Sequence, residues 1–201
     1  MFPLCFITDT RNCSSDLLIK TVADAVDAGA RLIQYRDKNS TRRAMYENAN
    51  ALRAITLNGG ATFLVNDQID LALAVGADGV HLGQDDLPAW VARSILGKQA
   101  IIGISTHTLS EAIQAERDGA DYIGFGPIFS TDTKTDAKTP VGIPAITEIA
   151  KAVRIPLYAI GGIGLPDLLQ IFSAGATGVA AISAFTGDVQ PNLRSWLKAI
   201  V

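Results

Sequence analysis

Residues 76–82, with the sequence GADGVHL, contain the pattern that decides the fold. A Gly-Ala pair and one polar residue lead directly into a short apolar run. The same pattern recurs at residues 29–35 (GARLIQY), 119–125 (GADYIGF) and 175–181 (GATGVAA), with spacings of 47, 43 and 56 residues. One strand-helix unit takes about 25 residues, so a spacing near twice that length predicts every second strand of an eight-stranded repeat.

Four further apolar runs of strand length lie between these repeats. They are Leu4 to Thr8, Ala61 to Val65, Ala100 to Ile104 and Pro156 to Ile160. None of them alternates with polar residues, as a half-exposed antiparallel strand would. The sequence therefore predicts buried parallel strands.

The segments between the strands have the periodicity of amphipathic helices. Examples are Leu17, Ile19, Val22, Ala23 and Val26 in one segment, and Ile146, Ile149, Ala150 and Val153 in another. Each segment ends at or near a glycine, which is typical of a helix C-terminus. Eight strand-helix units predict an α/β chain in which residues 1–201 form one (β/α)8 TIM-barrel catalytic domain. The alternative is an open doubly wound sheet, which the missing P-loop and G-x-G-x-x-G after the first strand disfavour.

Composition and charge exclude several classes of partner. The 201 residues include 17 basic and 20 acidic side chains, for a net charge of −3, and the isoelectric point is near 5.3. This balance gives no positive field for nucleic acid or anionic membranes. No run approaches the roughly 18 apolar residues of a membrane helix, so we expect a cytoplasmic enzyme with small-molecule partners. Cys5 and Cys13 are too few for a disulfide framework or a four-ligand zinc site, and we expect them simply to pack.

Polar residues follow the second predicted strand, where the active site of such a barrel lies. The segment Gln34-Tyr35-Arg36-Asp37-Lys38 places Gln34, Arg36 and Lys38 on one side of an extended chain, because successive side chains alternate. Tyr35 and Asp37 fall on the other side. Two cations and an amide then converge on one ligand, unless they are simply solvated residues at a strand end.

Carboxylates follow the third and fourth predicted strands. Magnesium takes one or two protein carboxylates and completes its octahedron with water and phosphate oxygens, so Asp67 with Asp86 or Asp85 predicts a Mg²⁺ site. The alternative is that Asp67 and Asp86 cap the helices that follow them. His81 precedes these carboxylates, and we expect a packed strand-end histidine more than a base or ligand.

The last loops have the composition of a phosphate site. Gly161-Gly162 and Ile182-Ser183 follow the seventh and eighth strands, whose loops commonly bind phosphate in this fold, although Gly162 also suits a tight turn. The long loop after the sixth strand adds Thr131, Thr133 and Lys134, and is either a lid or a surface connection. Together with the cations after strand 2, these groups predict two phosphorylated ligands, one of them a diphosphate.

At these residues the sequence resembles the thiamine-phosphate synthase family, also called thiamine-phosphate pyrophosphorylase, over nearly the whole chain. The shared motifs occur in the family's order: FITD, IQYRDK, LVND, GADGVHLGQDDLP, GISTHT, GADYIGFGPIFSTDTK, PLYAIGGI and GVAAIS. The resemblance implies that 4-amino-2-methyl-5-pyrimidinylmethyl diphosphate joins a thiazole phosphate, carboxylated or not, to give thiamine phosphate and diphosphate, with Mg²⁺ as cofactor. It also implies a dissociative mechanism, in which diphosphate leaves and the thiazole nitrogen captures a methylene cation.

The resemblance assigns a role to each matching residue. The pyrimidine diphosphate would be held by Gln34, Tyr35, Arg36, Asp37, Lys38, Asn66, Ser105 and Lys134. Of these, Arg36, Lys38, Ser105 and Lys134 would assist catalysis, and Asp67 and Asp86 would bind the metal. The thiazole phosphate would be held by Thr131, Asp132, Thr133, Gly162, Ile182 and Ser183.

Two positions depart from the family's usual residues, because Asp37 and Asp85 stand where glutamate is common, and both keep the charge. The nearest alternative is a thiazole tautomerase, which would carry histidine in place of Pro127 and weaker diphosphate and metal positions. A second alternative is a non-catalytic regulator of thiamine genes, which the acidic chain without a DNA-reading motif disfavours.

Overall fold

Eight parallel strands close into a barrel whose spatial order follows the chain, from β1 round to β8 and back to β1. The computed structural model describes residues 2–11, 13–131, 139–185 and 187–200. The strands are β1 (Leu4–Ile7), β2 (Leu32–Tyr35), β3 (Thr62–Asn66), β4 (Gly79–Leu82), β5 (Ile101–Thr106), β6 (Tyr122–Phe125), β7 (Leu157–Ile160) and β8 (Gly178–Ala181). The predicted (β/α)8 barrel is confirmed, and the open sheet is excluded.

A helix follows each strand and covers the outside of the barrel. The helices are α1 (Ser15–Asp27), α2 (Arg42–Asn58), α3 (Ile69–Val75), α4 (Ala89–Leu96), α5 (Leu109–Arg117), α6 (Ile143–Ala152), α7 (Leu168–Ser173) and α8 (Val189–Ile200). Ser14, Thr41 and Thr108 cap α1, α2 and α5 with side-chain oxygens that accept backbone N–H groups. The expected glycine stop is present at Gly76, which ends α3 in the left-handed region at φ 62°. In contrast, α6 ends at Val153 in extended backbone.

Most of the apolar side chains pack between the strands and the helices. In α1, the buried residues include Leu18 and Ala25, whereas the predicted Leu17 is 53% exposed. The predicted Val22 and Val26 are buried, so the prediction is wrong at Leu17, where Leu18 is buried instead. A second cluster fills the barrel interior and contains Cys5, Tyr122 and Tyr158. Burial raises the pKa of the Cys5 thiol to about 12, which agrees with a packing role.

Aspartates at the N-terminal end of the barrel tie neighbouring strands together. The Asp78 carboxylate accepts the backbone N–H of Phe63 at 2.8 Å and both Nη groups of Arg53 at 2.9 and 3.0 Å. Asp121, the equivalent residue of the next repeat, accepts from Ile102 N at 2.7 Å and from Arg93 at 2.6 Å. The Gly-Ala-Asp pattern thus joins strands at the end of the barrel opposite to the candidate site. Among the helices that the structure describes, none has the length and apolar character needed to cross a membrane.

Candidate active site

A cavity of about 270 Å³ opens at the C-terminal ends of the strands. Its walls come from the C-terminal ends of strands and the loops that follow them, from β2 to β8, so residues far apart in the sequence meet there. They are Arg36, Lys38, Asn66, Asp67, Gly83, Gln84, Asp85, Asp86, Ser105, His107, Gly124, Gly126, Pro127, Thr131, Ile160, Gly161, Gly162, Ile163, Ala180, Ala181, Ile182, Ser183 and Ala184. The strand-end residues predicted from the sequence therefore largely share one space.

Arg36 and Lys38 form the cationic wall of this cavity. The backbone of Arg36 is fixed by Thr8, whose buried hydroxyl accepts from Arg36 N at 2.9 Å and donates to Arg36 O at 3.2 Å. The ammonium of Lys38 forms an ion pair with the Asp67 carboxylate. These contacts fix the backbone of Arg36 and the ammonium of Lys38, and both residues line the cavity, where their charges can meet an anion.

Tyr35 and Asp37 lie outside the cavity, on the opposite side of the same strand end. Both are buried, and the Tyr35 hydroxyl donates to Asp37 Oδ2 at 3.0 Å. Asp37 Oδ1 also accepts the backbone N–H groups of Asn39 and Ser40 at 3.0 and 3.1 Å. Burial opposes ionisation of Asp37, but these hydrogen bonds outweigh it and lower the pKa of its carboxyl. Tyr35 and Asp37 are therefore placed to support the Arg36–Lys38 segment instead of contacting a ligand directly.

Asp67 and Asp86 face each other across neighbouring loops. Asp67 has φ 63° and is the one non-glycine residue with positive φ in the described ranges. Asp86 Oδ2 accepts the backbone N–H of Gly83 at 2.7 Å. The pKa of Asp86 is raised, first by burial and then by its contact with the negative charge of Asp67. Two carboxylates held together in this way fit a site for a cation.

The alternative in which these two aspartates cap helices is wrong. Gln68 occupies the N-cap position of α3, and Pro88 occupies that of α4. Neither helix receives a side-chain hydrogen bond at its cap. The carboxylates are therefore turned toward the cavity instead of the helix ends.

Ser105 lies on the floor of the cavity, above a buried polar network. Its hydroxyl is 2.9 Å from His81 Nε2, and His81 Nδ1 is 2.8 Å from the Tyr122 hydroxyl. His81 is only 8% exposed, so the packed strand-end interpretation is confirmed. Gln34 is buried and lines a small interior cavity with His81, Ser105 and Tyr122, instead of the wall of the cavity at the strand ends.

A glycine-rich wall of the cavity comes from the ends of β6, β7 and β8 and the loops that follow them. Gly162 has φ 65°, and a Cβ atom built there would lie 2.4 Å from Ser130 O. Glycine is thus required by both the backbone conformation and the close approach of the β6 loop. Ile182 and Ser183 extend this wall, and a 3₁₀ helix spans Ser183–Phe185.

The sixth loop enters the cavity through Thr131. The predicted residues Asp132, Thr133 and Lys134 lie outside the described residues. Asn66, which was predicted to bind the diphosphate, lines the cavity beside Asp67.

Three residues near the site were not among the predicted site residues. Thr8 fixes Arg36, Gln84 donates to Ser105 O at 2.7 Å, and His107 lines the cavity with Nδ1 2.5 Å from Gly126 O. Thr8 ends a predicted strand, and Gln84 and His107 lie two and three residues after the ends of theirs, so position at the C-terminal end of the barrel was the available signal.

A closed (β/α)8 barrel with cations, paired carboxylates and a glycine wall at the C-terminal end of its strands belongs to the class of barrel enzymes that act on phosphorylated ligands. The sequence model of thiamine monophosphate synthase matches residues 4–185, and the chain belongs to this family. Members of the family are transferases.

Individual relatives agree with this family. The chain is 49% identical to a thiamine-phosphate synthase of Chloroflexus aurantiacus, over 88% of this chain and 82% of the relative. It is 47% identical to that of Chlorobium phaeovibrioides, over 96% and 92% of the two chains. The solved thiamine phosphate pyrophosphorylase from Pyrococcus furiosus superposes with a TM-score of 0.88 at 39% identity, covering 98% of this chain and 95% of that structure.

Proposed function

We propose that this chain couples 4-amino-2-methyl-5-pyrimidinylmethyl diphosphate with a thiazole phosphate, releasing thiamine phosphate and diphosphate. A carboxylated thiazole would also release carbon dioxide. The observation that carries the proposal is the division of one cavity into two walls. Arg36, Lys38, Asp67 and Asp86 form a charged wall, whereas Gly162 and Ser183 form a small-residue wall.

The charged wall suits the diphosphate. The guanidinium of Arg36 can donate two parallel hydrogen bonds to phosphate oxygens, and Lys38 adds a mobile point charge. Asn66 and Ser105 add neutral polar groups to the same wall. Lys134 would add a third cation in this proposal.

Asp67 and Asp86 suit Mg²⁺ bound together with the diphosphate. Among the described residues, no group of three or more His, Cys, Asp or Glu side chains could hold a metal ion. Magnesium does not require such a group, because it usually takes one or two carboxylates and completes its coordination with phosphate oxygens and water. The raised pKa of Asp86 supports the same interpretation, because a cation would relieve its repulsion with Asp67. When bound, the ion would neutralise charge that develops on the leaving diphosphate.

The small-residue wall suits the phosphate of the thiazole. The loops after the seventh and eighth strands commonly bind phosphate through backbone N–H groups in this fold. Gly162 and Ser183 present backbone with little side chain above it, so a phosphate oxygen can approach closely. Thr131 would supply a hydroxyl from the sixth loop, and Thr133 would supply a second.

The reaction fits a dissociative mechanism. The bond between the methylene carbon and the diphosphate oxygen breaks, and the leaving diphosphate keeps the electron pair. The thiazole nitrogen then donates its lone pair to the methylene cation and forms the new carbon–nitrogen bond. The residues of this chain would hold the two ligands in line and stabilise the departing charge, so no side-chain nucleophile is needed.

The decisive experiment is incubation of the purified chain with both substrates and Mg²⁺. Chromatography should detect thiamine phosphate and diphosphate in equal amounts. The competing tautomerase would isomerise the thiazole carboxylate and make no thiamine phosphate. Pro127 lines the cavity at the position where a tautomerase would carry histidine, and it has no group that can transfer a proton.

A further inference from the structure

Three polar side chains form a continuous hydrogen-bonded chain under the cavity floor. The hydroxyl of Tyr122 on β6 is 2.8 Å from His81 Nδ1 on β4, and His81 Nε2 is 2.9 Å from the Ser105 hydroxyl on β5. These three residues line a small interior cavity together with Gln34 on β2. Ser105 alone among the three also lines the cavity at the C-terminal ends of the strands. The chain therefore leads from the buried barrel interior to a group that can contact a ligand.

The rings in this chain are held in place by the barrel. Gly103 is the register partner of Tyr122, and a Cβ atom at Gly103 would lie 2.1 Å from the Tyr122 ring. A Cβ atom at Gly124 would lie 3.1 Å from His81 Cε1. Side chains larger than glycine at these positions would displace the two rings. The interior is thus shaped around this particular arrangement.

Hydrogen-bond chemistry allows this chain to run in two directions. A neutral imidazole carries its proton on one nitrogen, so His81 accepts at one end and donates at the other. If Nε2 carries the proton, His81 donates to Ser105 and accepts from Tyr122. If Nδ1 carries it, Ser105 must donate to His81, and its hydroxyl proton is no longer available to the cavity.

We propose that the chain runs from Tyr122 through His81 to Ser105, and that it presents the Ser105 hydroxyl to the cavity as a hydrogen-bond donor. A diphosphate oxygen only accepts hydrogen bonds, so this direction matches the ligand; to that extent the inference rests on the proposed function. Tyr122 and His81 are then positioning residues that act through Ser105.

The tautomer of His81 tests the direction without any substrate. The chain has two histidines, and the His107→Gln variant assigns their signals in a long-range ¹H–¹⁵N spectrum. His107 is an internal control, because Nδ1 lies 2.5 Å from the Gly126 carbonyl, which can only accept. At a pH where both rings are neutral, we expect the Nε2–H tautomer for His81 and the Nδ1–H tautomer for His107. An Nδ1–H tautomer at His81 would overturn the proposal.

Kinetics test the connection to Ser105. Tyr122→Phe should lower kcat about three- to tenfold with little change in KM, because one hydrogen bond that aligns Ser105 is lost. Tyr158→Phe is the matched control: it also removes a buried hydroxyl inside the barrel, but that hydroxyl bonds to the Phe2 carbonyl at the other end. We expect it to keep kcat.

A double variant separates positioning from general loosening of the barrel. In a Ser105→Ala background, Tyr122→Phe should have no further effect on kcat, because the group it positions is gone. Additive losses would contradict the proposal. If the wild-type chain makes no thiamine phosphate at all, the proposed function fails, whereas the tautomer result still decides the direction of the chain.

Discussion

The two ends of the barrel use aspartate in opposite ways. At the N-terminal end, Asp78 and Asp121 each accept a strand N–H group and an arginine, so their charges are balanced by neighbours. At the C-terminal end, Asp67 and Asp86 are neighbours of each other, and Lys38 pairs with Asp67. Carboxylates balanced within the protein stabilise the fold, whereas carboxylates that repel one another retain an affinity for a cation from solution.

The largest effect should follow from removing a carboxylate at the C-terminal end. Asp67→Ala or Asp86→Ala should lower kcat by roughly tenfold to a thousandfold, because a metal ion assists the leaving diphosphate mainly in the transition state. Steady-state assays over a range of Mg²⁺ concentrations measure the loss. Removing the metal from the wild-type protein with EDTA should lower kcat to a similar extent. Full activity in EDTA would contradict the assignment of a metal site.

The next effect belongs to the N-terminal end and should appear in stability alone. Asp78→Ala leaves the Phe63 N–H group and Arg53 without their partner, which should cost about 1–3 kcal/mol of unfolding free energy. Urea denaturation measures this loss, and kcat should stay within twofold.

Asp70→Ala is the matched control for that variant. The Asp70 side chain pairs with Arg42 but is 73% exposed, so its removal should cost less than about 1 kcal/mol. Equal losses of unfolding free energy for the two variants would show that the hydrogen bond between Asp78 and the strand adds no more stability than an exposed ion pair.

Arg36→Ala should change ligand binding selectively. The guanidinium belongs to the charged wall, so affinity for the pyrimidine diphosphate should fall roughly ten- to a hundredfold, and affinity for the thiazole phosphate should change much less. Calorimetric titration of each ligand alone gives both values. Equal losses would contradict the division of the cavity into two walls.

A smaller effect is expected at His107, although it lines the cavity. His107→Gln should keep coupling activity within about tenfold, because capture of a cation by the thiazole nitrogen needs no histidine base. The same preparation should be assayed for isomerisation of the thiazole carboxylate. The tautomerase assignment would replace the synthase assignment if the wild-type protein isomerises the thiazole carboxylate without coupling the two substrates, and if His107→Gln loses that isomerisation.

The smallest effect concerns stability at Asp86. Burial and the charge of Asp67 raise the pKa of Asp86 in the folded protein above its value in the unfolded chain. Protonated Asp86 therefore stabilises the fold at pH values below the unfolded-state pKa. This stabilisation is lost as the pH rises through the folded-state pKa. At pH 7 in metal-free buffer, Asp86→Asn should therefore leave the unfolding free energy equal or raise it by less than about 1 kcal/mol. Chemical denaturation at pH 4 and 7 should show a smaller pH dependence for the variant, and a marked loss of stability at pH 7 would count against the repulsion.

The sequence determined where the cavity would form. The Gly-Ala repeats located alternate strands, and the four remaining apolar runs located the others. Because β1 to β8 follow one another round the barrel, each residue after a strand lies at the same end. That rule predicts from the sequence that Arg36, Asp67, Asp86 and Gly162 lie at the same end of the barrel.

The tertiary structure decided what each side chain contacts there. Alternation along β2 separated Tyr35 from Arg36, but only packing around the strand end shows that Tyr35 supports Asp37. The caps of α3 and α4 depend on the path of each loop, so the sequence left open whether Asp67 and Asp86 would cap or converge. His81 and Tyr122 come from β4 and β6, which are not neighbours in the barrel, and their side chains meet only because the closed barrel brings inward-facing side chains into shared layers. The pattern of apolar residues along the sequence predicts one strand or helix at a time. Contacts between side chains of different strands depend on how the strands tilt and close into the barrel, and the pattern within one strand holds no information about that.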